Sequence, residues 1–328
     1  MNNNAIIGCG YWGSIIANNL REITKKKIYL YDKDKKNLNN LKKKIKNTEI
    51  LNTIDDICNN KQIKNVFLIT PPSQSYNIAL KLIKYDKNIF IEKPGFVNLK
   101  QFNHIIKVNN KFKNTLMFGY VYLFNKYIIK IKNIIKKKKL GKILFIKSIR
   151  ENLGPIRTDV DCNYDLASHD LSIIYFLLNI NSLKINNSIK YKILNKKITD
   201  ISTISLKLKN TEIEISTSWL SPEKVRKLII IGSKKMLVFN EMSIKNKMLV
   251  FNQYANYPEL KKLNKIIFSK KPKIYKGSFS TINIKENKNP VHNELNHFFN
   301  CIKNKKKPLT NLVFSKKILS TLQKINKN

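Results

Sequence analysis

Ala5-Ile-Ile-Gly8-Cys-Gly10-Tyr-Trp-Gly13, followed by apolar residues at Ile15, Ile16, Leu20 and Ile23, is the stretch whose reading decides the fold. It predicts a short buried strand, a glycine turn and a helix. A second apolar run, Lys27-Ile-Tyr-Leu-Tyr-Asp32, ends on a carboxylate 19 residues beyond Gly13. Gly8 permits a tight turn, Gly10 lets a pyrophosphate approach the backbone, and Gly13 allows the helix to pack closely on the strand. Asp32 is placed to accept hydrogen bonds from ribose hydroxyls, and its charge repels a 2′-phosphate, so the expected cofactor is NAD in preference to NADP.

Outward from that turn, strands and helices alternate. A Lys/Asn-rich helix from about Lys35 to Ile45 leads to a third strand near Glu49, and Thr53 with Asp55 and Asp56 marks a helix start. Val66-Phe-Leu-Ile-Thr70 is apolar or β-branched throughout, as a parallel strand buried on both faces requires. Pro71 and Pro72 break it and open a helix to about Tyr85, and Asn88-Ile-Phe-Ile-Glu92 is the next strand, stopped by Lys93-Pro-Gly95. This order predicts a doubly wound parallel sheet over residues 1–120, with ligands at the carboxyl ends of its strands. Residues 121–328 form the expected second domain. Its short β-rich runs include 142–151, 190–194, 201–209, 211–219, 227–231 and 236–240, with one helix over 165–178. They predict an α/β domain with a large open, mostly antiparallel sheet, whose uncovered face suits pairing with another copy. Two final helices, 291–301 and 311–323, are candidates to pack back on the first domain, and the Lys/Asn-rich stretch between Tyr257 and Lys276 reads as a loop.

Composition narrows the function classes. The 328 residues contain 63 Lys plus Arg against 21 Asp plus Glu, a formal net charge of +42. Only Arg21, Arg150, Arg157 and Arg226 are arginines. Readers of nucleic acid lean on the bidentate guanidinium, so this dispersed Lys, abundant beside Asn and Ile, reads as compositional drift and no specific nucleic-acid partner is expected. Cys9, Cys58, Cys162 and Cys301 lie far apart, with no Cys-x-x-Cys pair and no zinc spacing, so reduced thiols and no metal are expected. No apolar run approaches a membrane span and no signal-peptide pattern opens the chain, which makes the cytoplasm the expected compartment and a membrane an unexpected partner.

Two further clusters carry chemistry. Lys93 follows a strand end beside the expected nicotinamide, where an ammonium can bond a substrate hydroxyl and lower its pKa. Asp165-x-x-x-His169 places two side chains one turn apart on one helix face, and His169 is the histidine with a carboxylate partner at that spacing. His297, in Val291-His-Asn-Glu-Leu-Asn-His-Phe-Phe299, reads as a helix-surface position, and a His-Glu-x-x-His zinc helix is absent.

Taken in order, Gly8-Cys-Gly-Tyr-Trp-Gly13, Thr70-Pro-Pro-Ser73, Glu92-Lys-Pro94, Leu140-Gly141, Asp165-Leu-Ala-Ser-His169 and Glu294-Leu-Asn-His-Phe-Phe with Lys307-Pro-Leu309 resemble the Gfo/Idh/MocA oxidoreductases over essentially the whole chain. The resemblance implies a Rossmann domain followed by an open-sheet α/β domain, with Lys93, Asp165 and His169 as catalytic groups. It adds Tyr11, Trp12, Thr70, Pro71, Pro72, Glu92 and Lys93 to the cofactor contacts. The segment from Asn152 to Asp170 resembles members acting on nucleotide sugars in surface-polysaccharide pathways, and Tyr120, Arg157 and Asn163 become candidate substrate contacts. Gly95 and Tyr120 depart from the residues common in relatives.

The resulting expectation is hydride transfer between a nicotinamide and a ring hydroxyl or ketone of a sugar. His169 would take the hydroxyl proton, Lys93 would stabilise the alkoxide, and Asp165 would orient His169 or bind a neighbouring hydroxyl. The rivals are a dehydrogenase of a free sugar or inositol and a non-catalytic NAD-binding sensor. A homodimer or homotetramer is expected from the open sheet.

Overall fold

The computed structural model describes residues 3–158, 160–194, 196–256, 273–285 and 288–327. The chain forms two compact units, Met1–Asn125 with Asn287–Ser320 and Lys126–Glu286 with Thr321–Asn328. The first boundary thus falls after Asn125 instead of Tyr120, and 287–320 belongs to the first unit.

In the first unit β1 (Asn3–Ile7), α1 (Tyr11–Ile23), β2 (Ile28–Tyr31), α2 (Lys35–Lys44), β3 (Thr48–Ile50), α3 (Ile54–Asn59), β4 (Ile63–Leu68), α4 (Pro72–Lys84), β5 (Asn88–Glu92), α5 (Leu99–Phe112) and β6 (Leu116–Gly119) alternate. The strands form one parallel sheet in the order β3-β2-β1-β4-β5-β6. Ile6, Leu30, Phe67, Leu68, Phe90 and Ile91 are fully buried, because helices on both faces leave a central strand no solvent side. Thr53 and Asp56 close a capping box at α3, satisfying two donors of the helix start. The edge of β6 is covered by Thr310, which accepts the Phe118 N–H at 2.8 Å and donates its hydroxyl to the Phe118 carbonyl at 2.6 Å.

The second unit contains α6 (Lys126–Lys136), β7 (Ile143–Leu153), a π-helical turn (Asn163–Ala167) and α7 (Ser168–Leu178). Among the described residues nine strands follow: β8 (Lys184–Tyr191), β9 (Ile201–Leu208), β10 (Thr211–Ser218), β11 (Leu220–Gly232), β12 (Met236–Asn240), β13 (Met248–Phe251), β14 (Tyr254–Asn256), β15 (Lys273–Tyr275) and β16 (Phe279–Thr281). Eight strands make a sheet in the order β16-β13-β12-β11-β7-β10-β9-β8, antiparallel except for the parallel pair β7 and β10. The strand expected over 190–194 lies earlier, at β8, where Lys and Asn hide the alternation. Strands β13 to β16 escaped the sequence reading. Most of the expected 257–276 loop, residues 257–272, lies outside the described residues, and Lys273–Tyr275 form β15.

One face of this sheet is covered by helices: Tyr127 of α6 stacks on Phe239 of β12 with centroids 5.4 Å apart, and Asp170 of α7 bonds Arg150 of β7. On the other face Phe145, Ile149 and Ile229 are half-buried and Ile231 is exposed. The last two helices are α8 (Pro290–Lys303) and α9 (Leu312–Lys327). Phe298 of α8 packs edge-on against Phe67 and Phe90, centroids 5.5 and 6.0 Å away, sealing one face of the first sheet. Among the described residues no helix is long and apolar enough to cross a membrane.

Candidate active site

The glycine turn sits at the carboxyl end of β1, and the close approaches of its backbone dictate two of its residues. Gly8 has φ +99°, and a Cβ there would lie 2.2 Å from the Ile69 carbonyl oxygen; at Gly13 a Cβ would lie 2.1 Å from the Gly8 oxygen. At Gly10, by contrast, a Cβ would meet nothing within 4 Å. Gly10 is also the N-cap of α1, which has neither a side-chain cap nor an acidic residue in its first turn. Free backbone donors therefore face open space at the positive end of a helix dipole, an arrangement that fits the pyrophosphate of a dinucleotide.

Asp32 lies just past β2, and its carboxylate accepts the Cys9 N–H at 2.6 Å and the Asp34 N–H at 2.9 Å. The residue expected to meet the ribose thus also ties the turn to the second strand, with one lone pair left on each oxygen. Cys9 is buried, its thiol pushed up to about 12 by burial and by Asp32, so it is inert. Thr70, Pro71 and Pro72 follow β4, and the Thr70 hydroxyl is engaged with the Ser75 hydroxyl at 2.9 Å. Tyr11 is 84% exposed. Trp12 donates its indole N–H to Oε2 of Glu92 at 2.8 Å, which joins the glycine turn to the end of β5. Lys93 follows on that strand end, half-buried.

The Glu92 carboxyl group lies deep, and burial pushes it up to about 7 against the opposing effects of Lys93 and the Trp12 bond. Gly95 is required locally: its φ is +86°, and a Cβ would strike the Phe118 ring at 2.2 Å. Tyr120 is fully buried, its hydroxyl 3.1 Å from that of Ser315 and its ring against Phe314. Its side chain is packed in the core of the first unit.

In the second unit Asp165 and His169 straddle the junction between the π-helical turn and α7, so the segment expected as one regular helix over 165–178 opens with a wider turn. Oδ2 of Asp165 accepts the indole N–H of Trp219 at 3.2 Å, and Arg157 approaches Oδ1 to 3.7 Å. His169 is half-buried. Asn163 is fully buried and donates to Asn326 at 3.3 Å, while its Oδ1 has no hydrogen-bond partner. Arg157 is exposed over about a third of its side chain.

Several residues that shape the site were not singled out from the sequence. Trp219, fully buried, holds Asp165; its place at the end of a β-run gave no hint of that partner. Asp170, next to His169, accepts two bonds from Arg150, at 2.8 and 3.1 Å, and one from Ser148 at 2.7 Å, all buried. This network fixes the start of α7 on β7. Glu294, 1% exposed, was quoted only as part of a motif. His297 corrects the helix-surface reading: it is half-buried, its Nε2 accepts the Leu309 N–H at 3.0 Å, and burial lowers its pKa. An open cavity of about 710 Å³ in the first unit is lined by Asn88 and Leu116, the opening residues of β5 and β6, and by Lys113, Lys305, Lys306 and Lys307. It lies at the amino ends of those strands, away from the glycine turn.

A parallel sheet in this order, with a glycine turn, an uncapped helix start and a carboxylate on the second strand, defines a dinucleotide-binding Rossmann domain. Residues 2–120 match the model of the Gfo/Idh/MocA oxidoreductase family, described as an oxidoreductase family with an NAD-binding Rossmann fold. The chain is 23% identical over 131 residues to inositol 2-dehydrogenase of Salmonella typhimurium strain LT2, covering 39% of each chain. The chain thus spans about two-fifths of the length of the curated relatives it matches. Among solved structures it is similar to UDP-N-acetylglucosamine 3-dehydrogenase from Acidithiobacillus ferrooxidans, with TM-score 0.79 and 15% identity over 99% of this chain and 96% of that one. A protein of gentamicin A biosynthesis in complex with NAD gives TM-score 0.79 and 13% identity over 98% and 92%. These likenesses concern the fold.

Proposed function

We propose that the protein is an NAD-dependent dehydrogenase that oxidises a ring CH–OH group of a sugar, a nucleotide sugar of surface-polysaccharide synthesis, or reduces the matching ketone. The observation that carries this reading is the open, uncapped helix start at Gly10 with Asp32 bound to the same turn. Bound NAD supplies the hydride acceptor. The chain supplies the rest: His169 removes the hydroxyl proton, the Lys93 ammonium stabilises the alkoxide, and Asp165, held by Trp219, orients His169 or binds a neighbouring hydroxyl. Arg157 is assigned to the substrate. Asp32 favours NAD because a 2′-phosphate would bring a second negative charge against its carboxylate. Four free, buried cysteines suit a reducing cytoplasm, and the half-buried face carrying Phe145, Ile149, Ile229 and Ile231 suits contact with a second copy, as a dimer or tetramer.

The test is NAD reduction by purified protein with a panel of UDP- and GDP-linked sugars, free sugars and inositols. Turnover with one nucleotide sugar, falling 10²–10⁴-fold in His169→Ala, is the expected result. Tight NAD binding with no turnover across the panel would overturn the reading in favour of a cofactor sensor.

A further inference from the structure

Glu294 on α8 is a buried acid with no part in the scheme above. It is 1% exposed, and its Oε1 has no hydrogen-bond partner. The Tyr120 backbone lies beside its carboxyl group, and the Tyr120 N–H donates to the Phe118 carbonyl at 3.0 Å. Glu92 flanks the same peptide: it is paired with Gly119 in the sheet register, and a Cβ on Gly119 would lie 2.5 Å from Glu92 Oε2. Both carboxyl groups therefore lie at the Gly119–Tyr120 link at the end of β6. Gly119 carries no side chain, which leaves room for the Glu92 carboxyl.

The charged and titratable groups facing the pair are few. Glu92 sees Lys93 on its own strand and accepts the neutral indole of Trp12 from α1; the buried phenol of Tyr120 also faces it. Glu294 sees Glu92 and the Tyr120 backbone, and its Oε1 has no hydrogen-bond partner. Lys93 can balance one negative charge. A second carboxylate, dry and short of donors, would be opposed by burial and by its neighbour.

We propose that Glu294 keeps its proton at neutral pH and is a positioning residue: as a neutral acid it leaves Glu92 as the single carboxylate of the pair, free to hold Trp12 and to balance Lys93. Burial and the charge of Glu92 both raise the Glu294 pKa well above the ordinary carboxylate range, in the same direction as the geometry. The role beside Lys93 rests on the dehydrogenase reading. The proton itself is a property of the chain alone.

Infrared spectroscopy of the protein without cofactor tests this independently of any activity. At pH 8 the wild-type protein should show the carbonyl stretch of a protonated carboxylic acid, and Glu294→Gln should lose it. A spectrum without that band, or a band that survives Glu294→Gln unchanged, would overturn the proposal. In the same variant, the titration of Glu92 read through Trp12 fluorescence should keep its midpoint within about half a pH unit, since the group removed was already neutral. A fall of a unit or more would mean that Glu294 had carried charge, and would also overturn it. Should Glu294→Gln fail to fold, the wild-type spectrum decides through its dependence on Glu92→Gln. With the neighbouring charge gone, the pH 8 band should persist and then titrate at lower pH than in the wild type; an unmoved titration refutes the pairing.

Discussion

The indole N–H of Trp219 donates to Oδ2 of Asp165 at 3.2 Å, joining the end of β10 to the π-helical turn that precedes His169. This bond, with Arg157 at 3.7 Å on the other oxygen, leaves Asp165 little freedom to turn. Trp219→Phe keeps most of the ring and removes the donor. A hydrogen bond to a charged acceptor contributes about 1.5–3 kcal/mol, so urea denaturation should show a loss at the lower end of that range. Under the dehydrogenase reading kcat should fall about tenfold with KM little changed, because orientation of the acid/base pair is lost and sugar contacts are not. An unchanged kcat in a folded variant would remove Asp165 from the orienting role.

The Arg150 and Asp170 pair, 5% and 1% exposed at its side chains, is a different case. Three hydrogen bonds compensate the buried Asp170 carboxylate, so removing one partner strands a charge. Asp170→Ala should cost about 3–5 kcal/mol, and replacing both residues by apolar ones of similar volume should cost much less. A double-mutant cycle in urea measures the difference. Additive single and double losses would show that the pair does not act as a unit.

Three glycines of one turn should separate folding from binding. Gly8→Ala and Gly13→Ala each place a methyl group about 2 Å from a carbonyl oxygen and should abolish or severely weaken folding of the first unit. Gly10→Ala meets open space, so thermal stability should stay close to wild type. The methyl group then occupies the space assigned to the pyrophosphate, and NAD affinity should fall at least tenfold by calorimetry. Equal NAD affinity in a folded Gly10→Ala protein would place the phosphates elsewhere.

The first unit was legible because burial on both faces leaves apolar runs, Ala5–Ile7, Val66–Leu68 and Ile89–Ile91, in β1, β4 and β5. Gly8 and Gly13 were legible as a tight turn too, since close backbone approaches leave one residue type at each. The second sheet was harder. Strand β8, Lys-Ile-Asn-Asn-Ser-Ile-Lys-Tyr, has Asn where one face should be apolar, and a register shift between Ile185 and Asn187 breaks the period. Trp219 and Asp165, or Asn163 and Asn326, meet only through tertiary folding over long sequence separations. Likewise the contacts of Tyr120 with Phe314 and with Ser315, 195 residues away in sequence, could not be read from its position.

The raised Glu92 pKa makes stability depend on pH with a defined sign. The unfolded carboxyl ionises near 4.5 and the folded one at about 7. Below 4.5 the group is protonated in both states and contributes nothing to the balance. Between 4.5 and 7 the unfolded chain loses the proton first, so stability falls as pH rises, and the loss levels off once the folded group has ionised. A shift of that size corresponds to on the order of 3 kcal/mol. The high positive charge of the chain opposes this by destabilising the fold as pH falls, so the quantity to read is wild type minus Glu92→Gln. Urea midpoints between pH 4.5 and 8 should give a difference that declines across this window and then flattens. Parallel curves would show that Glu92 titrates in the folded protein as it does in the unfolded chain.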